Sequence, residues 1–249
     1  MKTERTQICV IIPTYNNGGT IRRIIEDVHK YVGEIIVVDD GSTDETSTIL
    51  KQLSSIITVV SCKKNYGKGH ALVTGFRVAK ENGFTHAITI DSDGQHFASD
   101  IPNLLLEMEK NPMGIIVGCR NLTEENMPRQ NTFANKFSNF WFRLQTSIDL
   151  PDTQCGYRLY TLQSLKGLSI ITSRYEAELE LLVFAGWTGV KVTSVPVKVY
   201  YPPIEDRVSH FRPIYDFVRI SILNTLLCLG AIVYGYPNLF IRSLRKCFA

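Results

Sequence analysis

From Gln7 to Cys119 the chain repeats one rhythm: a short β-branched run ends in polar or glycine residues and gives way to a helical spacing. Gln7–Pro13 reads as a strand, after which Ile21, Ile24, Ile25 and Val28 recur at i, i+3, i+4 and i+7, one face of a helix. Glu34–Asp39 is the second strand. Ser42 and Glu45 have the spacing of a capping box and predict a helix from there to about Ser54. Strands at Ile57–Cys62, His86–Ile90 and Gly114–Cys119 then alternate with helices at Gly69–Lys80 and Ser99–Glu109. This alternation predicts an α/β fold with a mostly parallel central sheet covered on both faces.

In such sheets ligands sit at the carboxyl ends of the strands. The polar residues fall there: Thr14, Tyr15 and Asn16 after the first strand, Asp39 and Asp40 after the second, Asn65 and Lys68 after the third, Asp91 and Asp93 after the fourth. One such pair is ordinary turn chemistry. Four pairs aimed at one crevice predict a binding site.

The second half is less regular. Phe133, Phe137, Phe140, Trp141, Leu144 and Ile148 mark one side of a helix from about Gln130, a stripe expected to pack inward. A loop and strand over Pro151–Tyr160, a helix near Tyr175–Ala185 and a strand over Val190–Tyr200 follow. Internal repeats are absent, so one domain is expected over residues 1–210 with a helical tail over 211–249.

Composition narrows the classes without choosing among them. With 249 residues, 44% of them hydrophobic and 20% charged, the chain can bury one sizeable core. The six cysteines are scattered, with no CxxC and no neighbouring histidine pair, so neither a zinc site nor a disulfide framework is expected, and a reduced cytosolic setting is. The apolar run before Pro13 is too short for a signal-peptide core. Net charge is +3, and the positive excess lies in the tail, where six Lys or Arg from Arg207 onward face one acid, Asp216.

The acidic stretch "DSDGQH", Asp91 to His96, needs a ligand. An EF-hand loop starting at Asp91 would require Gly and Glu where His96 and Pro102 stand. A dinucleotide fingerprint or a phosphate loop would require glycines and a GK[ST] ending that "GKGHAL" lacks. What fits is a diphosphate held through a divalent cation, with Asp91 and Asp93 sharing the ion and Gln95 adding a carbonyl oxygen. Asp39 and Asp40 would repel phosphate but suit the N–H and hydroxyl donors of a base and ribose.

In this order and spacing, "VIIPTYNN", "IIVVDDGSTDET", "NYGKGHALVTGFRVA", "DSDGQH" and "GCRN" resemble the family 2 inverting glycosyltransferases, in particular the dolichyl-phosphate mannosyltransferase and polyprenyl-phosphate glycosyltransferase branch. The likeness spans roughly residues 7 to 215. It implies a single GT-A type nucleotide-sugar-binding domain with membrane-associating C-terminal helices. It implies Pro13, Tyr15, Asp39 and Asp40 around the base, Asp91 near ribose and metal, Asp93 and Gln95 as ligands of Mg²⁺ or Mn²⁺, and Lys68 toward phosphate. Arg120 matches an arginine near the donor or acceptor phosphate. "DRVSHFRP", with Arg207, loosely resembles an acceptor loop. Where the family often has TYNE, this chain has Asn16 and Asn17 after Tyr15, which leaves the base open between UDP- and GDP-sugars.

The expected reaction is a single in-line displacement that moves a hexose to a polyprenyl phosphate at the cytoplasmic membrane face. A lipid phosphate needs cations rather than a base, and Arg129, Arg158, Arg207 and His210 are available. A glycan or lipid hydroxyl would need a base, for which Asp152 in "DTQCGYR" is the candidate. Replacing Asp152 by Asn should be nearly silent in the first case and severe in the second. Glu176 and Glu180 are read as solvated helix acids. A non-catalytic nucleotide-sugar-binding membrane scaffold is the alternative from another class, and nucleic acid is not an expected partner. The 22 uncharged residues from Ile220 to Ile241 are long enough to cross a bilayer, but Ser221, Asn224, Thr225 and Cys228 form one polar face. With the basic segment Arg242, Arg245 and Lys246 beyond it, an in-plane anchor on anionic lipid is expected rather than a span.

Overall fold

The computed structural model describes residues 7–121, 129–167, 170–201 and 213–247. Its elements run β1 (Ile8–Thr14), α1 (Gly18–His29), β2 (Ile35–Asp39), α2 (Thr46–Gln52), β3 (Thr58–Ser61), α3 (Lys68–Glu81), β4 (His86–Thr89), α4 (Ile101–Lys110) and β5 (Ile115–Arg120). There follow α5 (Arg129–Thr146), β6 (Arg158–Thr161), α6 (Glu176–Trp187), β7 (Val192–Val197), α7 (Pro213–Gly230) and α8 (Tyr236–Cys247). The strands form one sheet in the order β3-β2-β1-β4-β6-β5-β7. Only β6 is antiparallel to its neighbours, β4 and β5; the remaining pairs are parallel.

The strand sequences explain this arrangement. Val10, Ile11, Ile12, Val37, Val38, Ala87 and Ile88 are buried on both faces of the sheet, which is why their runs are continuous rather than alternating. On α1 the apolar stripe Ile21, Ile24, Ile25 and Val28 is buried as its spacing predicts, each side chain worth roughly 1.5–3 kcal/mol of transfer from water. Residue Thr14 of β1 pairs with Asp39 of β2, and Ile11 with Thr89 of β4. The carboxyl ends of these three strands therefore open on the same edge.

Four details depart from the sequence-based expectation. Helix α2 begins at Thr46, because the preceding loop is committed elsewhere: Ser42 Oγ accepts from the Asn16 N–H, and Asp44 accepts from the N–H groups of Gly18 and Thr46. Strand β7 stops at Val197, and the chain beyond it braces the loop after β4, with Lys198 N–H donating to Asp100 (2.7 Å) and Tyr200 N–H to the Gln95 carbonyl (2.8 Å). On α5 the aromatic stripe does not all turn inward. Phe140 is 60% exposed and Leu144 is exposed too, whereas Phe142, outside the stripe, is fully buried.

The fourth is the tail. Helices α7 and α8 are joined by a π-helical segment, Ala231–Gly235. The polar face of the tail is divided: Thr225 is exposed, whereas Asn224 is buried against the domain, and Gln145 Nε2 on α5 donates to its side-chain oxygen at 3.1 Å. Trp187, at the end of α6, lies against Gly230 and Gly235, where any β-carbon would meet its ring within 2.8 and 2.5 Å. The outer face carries Val218, Ile222, Leu226, Leu229, Ile232, Val233, Phe240 and Ile241, all exposed.

Candidate active site

The carboxyl ends of β1, β2 and β4 enclose an open cleft of about 900 Å³, part of it solvent. Pro13, Tyr15, Asp40, Lys68, Asp91, Asp93 and Gln95, all expected from the sequence, line it together. Asn17, Ser92, Arg174 and Tyr175 join them without having been anticipated. Asn17 locks two strand ends to each other by donating from Nδ2 to Ser92 Oγ (2.9 Å), whose hydroxyl in turn donates to the Pro13 carbonyl (2.9 Å).

At one end of the cleft the charges are unevenly paired. Lys68, the first residue of α3 and not a solvated loop lysine, places its ammonium 2.7 Å from Asp91 Oδ1 and 2.8 Å from Glu178 Oε2 on α6. Burial disfavours that charge, but the two carboxylates overcome it and hold the lysine above its ordinary range. Burial likewise opposes ionisation of Asp91, and Lys68 outweighs it, holding Asp91 below the usual carboxylate range. Among the described residues Asp93 has no such ion pair. Its Oδ1 accepts the Gln95 N–H at 2.9 Å, and burial together with the charge on Asp91 pushes it up to about 6. Gly156 supplies the room, since a β-carbon there would lie 2.6 Å from Asp91 Oδ2 and 2.7 Å from Lys68 Nζ.

An under-compensated carboxylate, a half-neutralised one and an amide carbonyl form an all-oxygen donor set. This set suits a hard divalent cation that retains water and phosphate oxygens, as Mg²⁺ and Mn²⁺ do.

At the other end, Asp40 accepts the N–H groups of Tyr66 (3.0 Å) and Gly67 (2.7 Å). Burial raises it above the ordinary carboxylate range against those two bonds. Asp39, expected in the same pocket, lies behind the cleft. Its oxygens are occupied by the Ser42 N–H (2.9 Å) and the Ser47 hydroxyl (2.6 Å), so it organises the loop after β2.

Arg120 and Asp152 stand apart from the cleft lining and meet each other. Arg120 Nε and Nη2 donate to Asp152 Oδ2 and Oδ1 at 2.7 and 3.0 Å. Oδ1 also accepts from Asn135 Nδ2 (2.5 Å) and from the N–H groups of Gln154 and Cys155, both at 3.1 Å. Burial disfavours the Asp152 charge, and Arg120 with these donors prevails, keeping it below the usual range. Arg158 is fully buried and donates to the carbonyls of Cys155, Thr153 and Glu178, which removes it from the cations available to an acceptor. Arg207 and His210 lie outside the described residues, as does the side chain of Arg129. Glu176 and Glu180 are buried rather than solvated: Glu176 pairs with Arg219 on α7, and Glu180 accepts the N–H groups of Ile171 and Thr172.

The profile of glycosyl transferase family 2 matches residues 9–168. The chain belongs to that family. Among family relatives, it is 32% identical over 216 residues to a UDP-N-acetylglucosamine–dolichyl-phosphate N-acetylglucosaminyltransferase of Methanococcus voltae, covering 78% of this chain and 86% of that one. It is 29% identical over 207 residues to the polyprenol monophosphomannose synthase of Mycolicibacterium smegmatis, covering 78% and 77%. Among solved structures, glucosyl-3-phosphoglycerate synthase from Mycobacterium tuberculosis, crystallised with Mn²⁺, UDP and its product, superposes with a TM-score of 0.65 at 20% identity, over 91% of this chain and 80% of that one. The fold is GT-A-like, and the protein is a family 2 glycosyltransferase with relatives that act on dolichyl and polyprenyl phosphates. Val218–Arg245 is the one helix among the described residues long and apolar enough to cross a membrane.

Beside Asn17, Ser92 and Tyr175, sequence reasoning missed Glu178 and Arg174, charged residues around the start of α6. The only trace of them was a basic residue set just before an acidic helix start in "SRYEAELEL".

Proposed function

We propose that the protein transfers a hexose, with inversion, from a nucleoside-diphosphate sugar to a polyprenyl phosphate at the cytoplasmic membrane face. The observation that carries this is the cleft itself, which gathers Tyr15, Asp40, Lys68, Asp91, Asp93 and Gln95 in one lining. Tyr15 and Asp40 hold the base, and Asp93 and Gln95, with the free oxygen of Asp91, hold Mg²⁺ or Mn²⁺. The bound ion supplies positive charge to the diphosphate as it leaves. Lys68 and Arg174 add fixed cations in the same cleft, and Asn17 and Ser92 keep the strand ends from spreading.

A phosphate acceptor is favoured over a hydroxyl by the state of Asp152. Its acceptor positions are filled by Arg120, Asn135 and backbone N–H groups, and its low proton affinity makes it a poor base. A lipid phosphate, ionised with a second pKa near 6, needs none. Replacing Asp152 by Asn therefore tests stability rather than catalysis, a revision of the expectation above. The exposed apolar face of the tail, with α7 packed on the domain behind it, supports an in-plane anchor that brings the cleft to such a lipid.

Purified protein incubated with polyprenyl phosphate in vesicles and with UDP- or GDP-sugars should deposit sugar in the lipid phase with inverted anomeric configuration, only when Mg²⁺ or Mn²⁺ is present. Full turnover in excess chelator would refute the cation, and transfer to hydroxyl acceptors alone would refute the lipid phosphate. Nucleotide-sugar binding without turnover would leave the scaffold alternative standing.

A further inference from the structure

Beside the cleft a second cluster of metal-ligating side chains meets from three elements. Asp40 follows β2, Cys62 follows β3 and His70 lies on the first turn of α3, and one ligand atom from each falls within 4.8 Å of the others. The histidine has an unmet need: His70 Nδ1 is buried without a hydrogen-bond partner. The ring packs against Tyr66, tilted by 33° with centroids 4.7 Å apart, and the His70 N–H is bonded to the Ser173 carbonyl at 3.1 Å, so both side chain and backbone are held in place. Cys62 is a free thiol, half-buried, with its N–H anchored to the Asp39 carbonyl at 2.8 Å.

One sulfur, one nitrogen and one oxygen make a ligand set unlike that of Asp91, Asp93 and Gln95. Thiolate and imidazole select borderline-soft ions such as Zn²⁺ over Mg²⁺, and three protein ligands leave a fourth tetrahedral position open. We propose that Asp40, Cys62 and His70 form a second metal site, for Zn²⁺ or a similar ion, and that its occupancy competes with the donor for Asp40. The thiol proton is released to solvent as the sulfur–metal bond forms. Because Asp40 also lines the donor cleft, the ion and the nucleotide base draw on the same carboxylate. This competition rests on reading the cleft as a nucleotide-sugar pocket; the metal site itself does not. The sequence concealed it, since the ligands are 22 and 8 residues apart and match no zinc spacing.

Co²⁺ serves as the probe, titrated into the full chain in excess Mg²⁺. A thiolate-to-cobalt charge-transfer band saturating at one equivalent is expected. The band should vanish in Cys62→Ser, and in His70→Gln the affinity for Co²⁺ should fall at least tenfold. Cys155→Ser should keep the band; it controls for the other cysteine–histidine approach, Cys155 Sγ to His96 Nε2 at 3.8 Å. Loading with Zn²⁺ should then weaken UDP or GDP binding at least tenfold in the parent protein but not in Cys62→Ser. Absence of the band, or its persistence in Cys62→Ser, overturns the site. A normal band with nucleotide affinity unmoved by Zn²⁺ overturns the competition, and a normal band with no nucleotide binding in any variant refutes the donor-pocket reading instead.

Discussion

The loop after β4 and the loop before β6 each hold a buried or half-buried aspartate, and they use it in opposite ways. Asp152 is enclosed by a bidentate arginine, an asparagine and two loop N–H groups, with nothing left to accept. Asp93 receives one backbone N–H and faces a second carboxylate. The first arrangement stabilises the fold. The second leaves Asp93 under-compensated among the described residues, and this contrast separates the two acids more sharply than burial does.

The contrast breaks down if the two residues respond alike to substitution. Asp152→Ala strands Arg120 near the interior and should cost about 3–5 kcal/mol in chemical denaturation. Asp93→Ala should cost nothing by the same measurement. Activity should invert the order: Asp93→Asn is expected to lower turnover by roughly 10²–10³-fold, the usual loss of one electrostatic contact to a leaving group, without lowering the metal-free melting temperature.

A pH titration sharpens the point. Asp93 holds its proton more tightly in the fold, up to about 6, than its ordinary 3.8. A raised acid favours the folded state at low pH. The stability Asp93 contributes in metal-free protein is therefore fully present below about 4 and is lost as pH rises to about 6, a decline on the order of 2–3 kcal/mol at 1.36 kcal/mol per unit. Comparing the parent protein with Asp93→Asn by denaturation across that window isolates this decline; identical curves would show that Asp93 is not poised.

The smallest effect is expected at Glu178→Gln. Losing one of its two anions, Lys68 should shift toward Asp91 and compete harder with the cation, raising the Mn²⁺ concentration for half-maximal activity roughly tenfold, about 1.4 kcal/mol. An unchanged metal requirement would mean that Glu178 merely fills space.

How legible all this was in the sequence follows from the range of the interactions. Strand runs and the α1 stripe are local periodicities, and Tyr15, Asp40, Lys68, Asp91 and Asp93 stand at strand or helix ends, so a simple topological rule collects them. Glu176, Glu178 and Glu180 were opaque. Three acids at alternate positions resemble a solvated helix start, yet their partners are Arg219, Lys68 and the N–H groups of Ile171 and Thr172. Asp152 reads as a free base until Arg120 and Asn135 are seen around it. Phe140 and Leu144 have core spacing but are exposed among the described residues, and the burial of Asn224 was hidden because its partner, Gln145, lies 79 residues earlier.

Helix α6 begins with Glu176 and Glu178 beside the cleft and ends with Trp187 gripped by the two tail glycines. Its twelve residues span about 18 Å. Were the tail to lie among lipid headgroups, as proposed, that rod would act as a ruler between the headgroup layer and the cleft. Chain length in the lipid tail would then matter little, whereas any spacer inserted between its phosphate and the headgroup plane would move the acceptor off the mark.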